Sequence, residues 1–517
     1  MNIFRNVMGS RPKLNKFDLS HEHKLSMDFG QLVPTFIQEV VPADRFRVQS
    51  EQMYRLAPTI SPFMHRVNVF THYWWVPNRI VFNMWDPYIT GGETGTEEVA
   101  PPTLGLNDSN KTRFVKGRLP DYFGLPVVDG VDTVNQNVAV NALPFRAYAE
   151  IYNEYYRDQN LEAKIEYSKD PGAATNTDVE ELTKVRRANY EKDYLTSALP
   201  WPQRGADVML PSDINYKDVS DVRQEGGQVP GDGPLSTSSG YVIADSISSR
   251  IENIENLGVT INDLRTSVRL QEWLEKNARG GSRLAEVILQ HFGVISDDLR
   301  LARPKFLGGG RQPMTISEVL QTSGTADPTN NYTPTPQGNM SGHGISVGNT
   351  NAFRHKFKEH GWIIGITFVV PRTAYQQAIP RWVNRLDRLD YYWPSFSHLG
   401  EQEVTNGEVY YDHTDGTTDE NGVKQHLQTF GYQSRYADYK FQMSKVSGDF
   451  RDTLSYWHAG RIFDSKPALN EDFIKMDYQD VDRLFAVEGE VANRIYGQIY
   501  NSVSALRPMP YYGTPRL

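Results

Sequence analysis

The sequence of 517 residues predicts a mainly β fold with a few short helices. In Val67–Trp75, β-branched and aromatic side chains alternate at a period of two, and Pro77 ends the run. Such a pattern predicts a strand that is largely buried on both faces. The apolar segment Trp362–Val370 predicts a second buried strand, which Pro371 ends. Helical periodicity, by contrast, is clear in only a few segments.

Two further segments, Arg45–Leu56 and Gln433–Met443, carry weaker strand signals. The segment Val491–Leu506 is ambiguous from its own residues. Its isoleucines and valine recur every four positions, which fits a helix and a strand equally well.

Three segments show the spacing of amphipathic helices. Phe145–Tyr156 has aromatic residues and alanine at helical positions behind Pro144, which suits the first turn of a helix. Ile261–Ala278 is the strongest helix signal, and Arg283–Phe292 follows it and ends at Gly293. The helices are therefore expected as additions to a β core.

Composition excludes several classes of protein. The chain has no cysteine, so disulfides, thiolate nucleophiles and cysteine metal sites are excluded. Its 54 basic and 63 acidic residues give a net charge of −9, so contact with nucleic acid must be local or supplied by a partner. We find no signal peptide, and the longest apolar run is far shorter than the ~20 residues of a membrane helix. We therefore expect no membrane insertion.

Long polar connections separate the predicted strands. Residues 207–258 hold nine acidic and three basic residues, with only Tyr216 and Tyr241 as aromatics. Such a segment cannot bury much surface, so it predicts a surface excursion. Residues 323–351, rich in Thr, Pro, Asn and Gly, predict a second loop. We find no internal repeat and no linker that separates two cores.

Short catalytic motifs occur without the context that their chemistry needs. Gly344–Gly348 matches GxSxG, but the preceding residues predict a loop instead of a strand. The histidines of His355–His360 are one residue too far apart for an HxxEH zinc motif. Gly308–Arg311 lacks the GK[ST] ending of a phosphate loop. Ser10–Lys13 and Thr417–Gln428 are incomplete matches to a β-lactamase motif and a calcium loop. We predict no catalytic residue, no metal site and no cofactor.

The N-terminal arm is a basic terminus in a chain of net charge −9. Arg5, Arg11, Lys13 and Lys16 are the candidates for contact with DNA phosphates. The alternative from the residues alone is a solvated tail that binds nothing.

Ten ordered sequence blocks closely resemble the major capsid proteins of the Microviridae, the small tailless phages with circular single-stranded DNA. The gokushovirus-like branch fits best. The blocks cover most of the chain, and the departures fall in 206–258 and 322–351. The blocks are His23–Pro34, Phe70–Trp85, Leu143–Leu161, Tyr194–Gly205, Ile261–Val294, Arg303–Arg311, Phe357–Gly365, Tyr391–Val404, Phe430–Lys440 and Arg507–Pro515.

The resemblance implies a single eight-stranded jelly roll of the viral capsid type, with long loop insertions and a few short helices. Residues 1–28 would form a basic arm on the interior of the particle, and residues 29–517 one capsid domain. The resemblance also favours a strand for Val491–Leu506. It implies a structural protein, not an enzyme, of which sixty copies close a T=1 icosahedral shell.

The resemblance also implies partners and a location. The packaged genome would be single-stranded DNA, held with the help of a small basic DNA-packaging protein. The insertion 207–258 would rise near the threefold axes, where Tyr216 or Tyr241 of three copies meet, and contact a host cell-surface receptor. The protein would be found in the virion, after assembly in the host cytoplasm.

Two other classes of function are weighed against this interpretation. A carbohydrate-binding jelly roll such as a lectin, or a cupin, is one; a cupin would need a histidine-rich metal cluster on adjacent strands. A phage receptor-binding or spike protein is the other, and it would carry a trimeric repeat or a fibre segment. We find neither feature, and particle size by light scattering separates the three classes.

Overall fold

The computed structural model describes residues 13–128, 130, 133–134, 138–206, 208, 261–281, 283–295, 297–298, 300, 302–322, 340–486 and 493–512. The strands are Asn15–Asp18 (β1), His21–Met27 (β2), Val33–Val40 (β3), Arg45–Leu56 (β4), Val67–Pro77 (β5), Thr103–Leu106 (β6), Val138–Asn141 (β7), Lys305–Leu320 (β8), Met340–Lys356 (β9), Gly361–Pro371 (β10), Glu401–Thr405 (β11), Thr429–Ser434 (β12) and Ile495–Arg507 (β13).

Most of the helices are short, and α6, with 20 residues, is the exception. They are Asn78–Val81 (α1), Trp85–Thr90 (α2), Leu119–Tyr122 (α3), Leu143–Ile151 (α4), Asn176–Thr183 (α5), Ile261–Gly280 (α6), Leu284–Phe292 (α7), Ala437–Lys440 (α8) and Glu471–Ile474 (α9). A π-helical turn, Tyr152–Tyr156, extends α4. No helix of the described residues combines the length and apolarity that a bilayer crossing needs.

The chain falls into two compact units. Met1–Pro202 and Gly281–Leu517 form the first, which holds all thirteen described strands. Gln203–Gly280 forms the second and contains the predicted insertion 207–258. Of that insertion only Val208 belongs to the described residues, and the described part of the second unit is mainly α6.

Nine of the described strands form one antiparallel sheet. Its order is β1–β13–β4–β9–β8–β5–β10–β3, and β2 pairs with β13 beside β1. The N-terminal strands together therefore cover one edge of β13 over most of its length. Short pairs β6–β7 and β11–β12 lie outside this sheet. The curled antiparallel sheet with few helices confirms the predicted mainly β, jelly-roll class.

Strand β8 turns a corner of the sheet. Its first part, Lys305–Met314, pairs with β5, and its second part, Thr315–Leu320, pairs with β9. Strands that change partners in this way join two sheet segments into a curled wall. The run Gly308–Gly310 lies a few residues before the change, and directly before it a β-bulge in β8 leaves Leu307 without a partner on β5. The glycines thus allow the backbones of neighbouring strands to approach closely. This structural role agrees with the sequence, in which the run lacks the ending of a phosphate loop.

Gly309 requires the absence of a side chain. A Cβ at this position would lie 2.2 Å from the carbonyl oxygen of Thr71, and the backbone has a φ of +155°. Any other residue would push β8 away from β5, and both strands would lose their register there.

Strands β4 and β13 alternate strictly between inside and outside. In β4 the buried side chains include Phe46, Val48 and Tyr54, and each is followed by a more exposed residue. In β13 the same pattern runs from Ile495 to Ala505. This period of two confirms a strand at the ambiguous C-terminal segment, and it leaves one complete face of these strands in water.

The buried apolar side chains of the described residues form three clusters, and two of them pack against the large sheet. Inside the curl, the rings of Phe36, Tyr73 and Phe353 pack together, with Tyr73 and Phe353 centroids 5.0 Å apart. A larger cluster includes the buried helix α4, all of whose residues are buried. The Tyr148 hydroxyl of α4 donates to the Leu32 carbonyl at 2.7 Å, which anchors the helix at the start of β3.

A layer of buried polar groups crosses the inside of the curl. The Thr71 hydroxyl donates to Gln52 Oε1 at 2.9 Å and lies 3.1 Å from the Thr367 hydroxyl. The Tyr73 hydroxyl donates to Ser50 at 2.8 Å, and burial raises the pKa of Tyr73 to about 12. Because buried polar groups need partners, this layer constrains which strands lie opposite one another.

One buried arginine ties the two ends of the chain together. Arg494 is 1% exposed, and its guanidinium lies 3.1 Å from a carboxylate oxygen of Asp28 and 2.6 Å from one of Asp482. Its backbone amide also donates to Asp28 at 3.0 Å. The two carboxylates raise the pKa of Arg494 against the opposing effect of burial. The entry to β13 is thereby fixed to the end of β2.

Two sequence predictions differ from the structure. Only Gln433 and Ser434 of the predicted strand Gln433–Met443 lie in a strand, because Tyr436 takes a positive φ of 59° and α8 follows. Within the predicted loop 323–351, residues 323–339 lie outside the described part of the chain, but Met340–Asn351 belong to β9. Pairing with β4 and β8 on both sides holds this stretch extended despite its poor strand propensity.

We expect Gly309→Ala to destabilise the subunit by about 1–3 kcal/mol, because the new methyl group clashes with the β5 backbone. The midpoint of urea unfolding measures the change. Gly416→Ala is the matched control, since its Cβ would meet nothing within 4 Å, and it should shift stability by less than about 0.5 kcal/mol. Equal midpoints for the two variants would contradict the close approach.

We expect Arg494→Leu to destabilise the subunit by about 3–5 kcal/mol, because it leaves the buried Asp28 carboxylate without its cation. The same unfolding assay measures the loss. Adding Asp28→Asn to Arg494→Leu should recover part of it. A single variant as stable as the parent protein would show that the ion pair is dispensable.

Candidate functional site

The predicted site residues divide between described and undescribed parts of the chain. Lys13 and Lys16 are exposed, and Lys16 lies on β1. The remaining predicted residues lie outside the described residues: Arg5, Arg11, Tyr216 and Tyr241.

Lys16 begins a row of outward-facing residues that crosses four strands. Its register partner on β13 is Leu506, which pairs in turn with Arg45 of β4. Arg45 pairs with Lys356 of β9. Residues directly opposite in a sheet point to the same face, and these three cations are all exposed.

A second row lies two residues further along the same strands. It runs from Asp18 through Ser504 to Arg47 and Arg354. Together the two rows define a surface that we call the basic face: Lys16, Arg45, Arg47, Arg354 and Lys356. None of these five cations forms an ion pair with a described residue.

The only acidic residue of these two rows, Asp18, accepts hydrogen bonds from a residue near it in the chain. The Asp18 carboxylate accepts hydrogen bonds from the Ser20 hydroxyl at 2.5 Å and the Ser20 amide at 3.0 Å. These bonds, with a smaller contribution from Lys16, lower the pKa of Asp18. The basic face therefore has five cations and one carboxylate in a chain of net charge −9.

The GxSxG motif has a structural role. Ser346 is 1% exposed and lies in β9, where its hydroxyl donates to the Pro313 carbonyl at 3.0 Å. Its neighbour Gly344 has room for no side chain, because a Cβ there would lie 2.5 Å from Leu56. A buried serine that donates to the backbone lacks the exposed, base-activated hydroxyl of a nucleophile.

The histidines of His355–His360 pack separately against aromatic rings. The His355 ring lies 5.7 Å from the Trp75 ring, and burial lowers the pKa of His355. The His360 ring lies 5.6 Å from the ring of Trp85. Among the described residues no group of three or more histidine or acidic side chains could hold a metal ion.

A cleft of about 780 Å³ lies beside the outer face of β5. Its wall is aromatic, with His72, Trp74 and Tyr156 in mutual contact. Burial lowers the pKa of His72 to about 4, so this imidazole is neutral near pH 7. The charged groups at the rim are paired internally: Arg303 with Asp298, Arg283 with Glu286, and Lys192 with Asp158. These side chains around the cleft are therefore packed against one another or form ion pairs within the chain.

A second surface is rich in exposed aromatic and aliphatic side chains. We call it the aromatic surface. Arg385 organises it, since its guanidinium pairs with Asp438 and lies 3.9 Å from the centre of the Tyr439 ring. Leu386 is 93% exposed. The exposed members of the surface are Trp382, Val383, Leu386, Leu389, Tyr391, Tyr392, Trp393, Leu399, Tyr439 and Phe441.

The aromatic surface is built on an ordered support. The Tyr436 hydroxyl accepts from the Trp393 amide at 3.3 Å, and the Tyr392 ring lies 4.9 Å from the Tyr436 ring. Monomeric soluble proteins rarely expose contiguous apolar patches, and such patches commonly mark sites of protein contact. The aromatic surface therefore has the character of an interface between proteins.

Sequence analysis missed both surfaces. The two pairs of cations on β4 and β9 have the spacing i, i+2, which puts each pair on one face of a strand. This spacing is visible in the sequence, but only the pairing of β4 with β9 shows that the two pairs of cations lie side by side. Four members of the aromatic surface, Tyr391, Tyr392, Trp393 and Leu399, lie in the matching block Tyr391–Val404, and no periodicity in the block marks them as exposed.

The comparisons with known proteins agree along the full chain. The family model described as capsid protein (F protein) matches residues 5–517. The capsid protein VP1 of Chlamydia phage 1 is 32% identical, over 100% of this chain and 98% of its own. VP1 of Bdellovibrio phage phiMH2K is 32% identical over 97% of this chain and 95% of its own. VP1 of Spiroplasma virus 4 is 30% identical over 99% of this chain and 97% of its own.

These matches confirm the resemblance to the gokushovirus-like capsid proteins, and they agree with a curled antiparallel sheet whose motifs have structural roles. The chain belongs to the phage capsid protein (F protein) family and is a structural major capsid protein.

Proposed function

We propose that sixty copies of this chain close a T=1 icosahedral shell around a circular single-stranded DNA genome. The aromatic surface is the observation that carries the proposal. Subunits of net charge −9 repel one another, so their contacts must depend on buried apolar area. Stable interfaces bury about 1,000 Å² or more and are enriched in aromatic residues at their centres.

The protein is accordingly assigned to the virion, with assembly in the host cytoplasm. The arm residues Arg5, Arg11, Lys13 and Lys16 face the interior and contact the genome. A small, strongly basic DNA-packaging protein neutralises most of the remaining phosphate charge, because an acidic subunit cannot do so alone.

The insertion 207–258 is assigned to the outside of the particle. Its nine acidic residues, against three basic ones, and its few apolar side chains suit a solvated projection. Three copies meet near each threefold axis through Tyr216 or Tyr241, and the projection contacts a host cell-surface receptor.

We expect Leu386→Asp to prevent closure of particles, because it places a charge at the most exposed position of the aromatic surface. The subunit should still fold, since this side chain is almost fully exposed. Light scattering and electron microscopy measure the fraction of closed particles. Leu427→Asp, at a 52% exposed position outside the aromatic surface, is the control and should assemble normally. Normal particles from Leu386→Asp would exclude this surface from assembly.

We expect particles in which a short Gly-Ser linker replaces residues 222–239 to assemble but to attach poorly to host cells. The replaced stretch contributes no predicted core residue. Particle yield and attachment to cells are measured on the same preparation. Failure to assemble would show that the insertion clamps subunits together, and unchanged infectivity would remove its receptor role.

A further inference from the structure

We propose that the basic face is a binding site for the sugar-phosphate backbone of single-stranded DNA. The proposal deepens the proposed function, on which it rests, by naming folded residues that meet the genome in addition to the N-terminal arm. Four of the five cations, Arg45, Arg47, Arg354 and Lys356, belong to the central part of the sheet and not to the arm.

The arrangement of these cations costs the free subunit stability. Arg45 lies directly opposite Lys356, and Arg47 lies directly opposite Arg354. Like charges at directly opposed positions of an antiparallel pair are destabilising. Two such pairs stand side by side, and neither has a carboxylate among the described residues within ion-pair distance. A polyanion across both pairs would remove the repulsion.

The dimensions suit a strand of nucleic acid. With strands spaced about 4.8 Å apart, the row from β1 to β9 spans about 14 Å, and the two rows lie about 7 Å apart. This is room for several phosphates in succession, whereas a single small anion would engage one pair only. The cations lie on paired strands, so binding does not require the backbone to become ordered, and the entropy cost is confined to the side chains.

Exposed aromatic rings lie at the same end of the sheet. β13 ends at Arg507, and Tyr511 and Tyr512 follow it with exposed fractions of 61% and 84%. The Tyr511 ring lies 5.3 Å from that of Phe17, whose side chain points to the opposite face of β1 from Lys16. Cations that follow the backbone, with aromatic rings for the bases, are the usual means of binding single strands without sequence preference.

The alternative to nucleic acid as the partner of the basic face is an acidic surface on a second copy of the chain. The length of the two rows favours nucleic acid, because successive phosphates of one strand can reach both pairs of cations, whereas each protein carboxylate would neutralise one cation at a time. The experiment below separates the two occupants.

Charge reversal at Arg354 is the sharpest test. Arg354→Glu turns the repulsive pair with Arg47 into an attractive one, so the unfolding midpoint of the subunit should stay equal or rise. Binding of a fluorescein-labelled oligothymidylate to the purified full-length subunit should nevertheless weaken. The slope of log affinity against log salt should become shallower by about 0.7, since this is the contribution of each phosphate contact for single strands.

Lys424→Glu is the control, because this exposed lysine also makes no ion pair with a described residue and lies far along the chain from the basic face. It should bind the oligonucleotide like the parent protein. Equal affinity and equal slope for Arg354→Glu and the parent would overturn the proposal. So would an Arg354→Glu subunit that binds DNA normally but no longer forms particles, because the basic face would then be an interface between copies. Failure of the parent protein to form closed particles would overturn the proposed function, and the oligonucleotide assay would still test the basic face.

Discussion

The strict alternation of β4 and β13 is the constraint on which the rest of the structure depends. Each inward side chain of these strands enters the core, so each outward one must face water or a partner. Phe46, Val48 and Tyr54 fill the curl, while Arg45 and Arg47 lie on the opposite face. A shift of one residue in either strand would bury the arginines and expose the core. The same register that builds the subunit therefore presents its basic face.

The remaining features hold this register in place. The glycine run of β8 lets the sheet turn its corner, and the buried hydroxyl and amide groups around Thr71 match strands across the curl. Arg494 fixes the start of β13 to Asp28, one residue past β2. In the middle of β13, the Asn501 side chain donates to the Thr35 carbonyl at 3.1 Å and links β13 to the far edge strand β3. Because these contacts hold the register of the sheet, the long connections are not needed for it. The connections carry the aromatic surface and the insertion instead.

A structural feature could be predicted from the sequence where the residues of a single segment determine it. The buried strands around Tyr73 and Ile364, the helix at Phe145 and the fold class follow from periodicity and from the resemblance. The segment Met340–Asn351 did not, because its extended form comes from neighbours on both sides and not from its own residues. The basic face needed the register of β4 against β9, which no periodicity within one segment contains.

A reconstruction of the assembled, DNA-filled particle tests the central claim most directly. The account predicts that the outward face of β1, β13, β4 and β9 is turned to the interior, with nucleic-acid density against Arg47 and Arg354. A particle in which this sheet face points outward, or in which a neighbouring subunit covers it and no nucleic acid reaches it, would contradict the account.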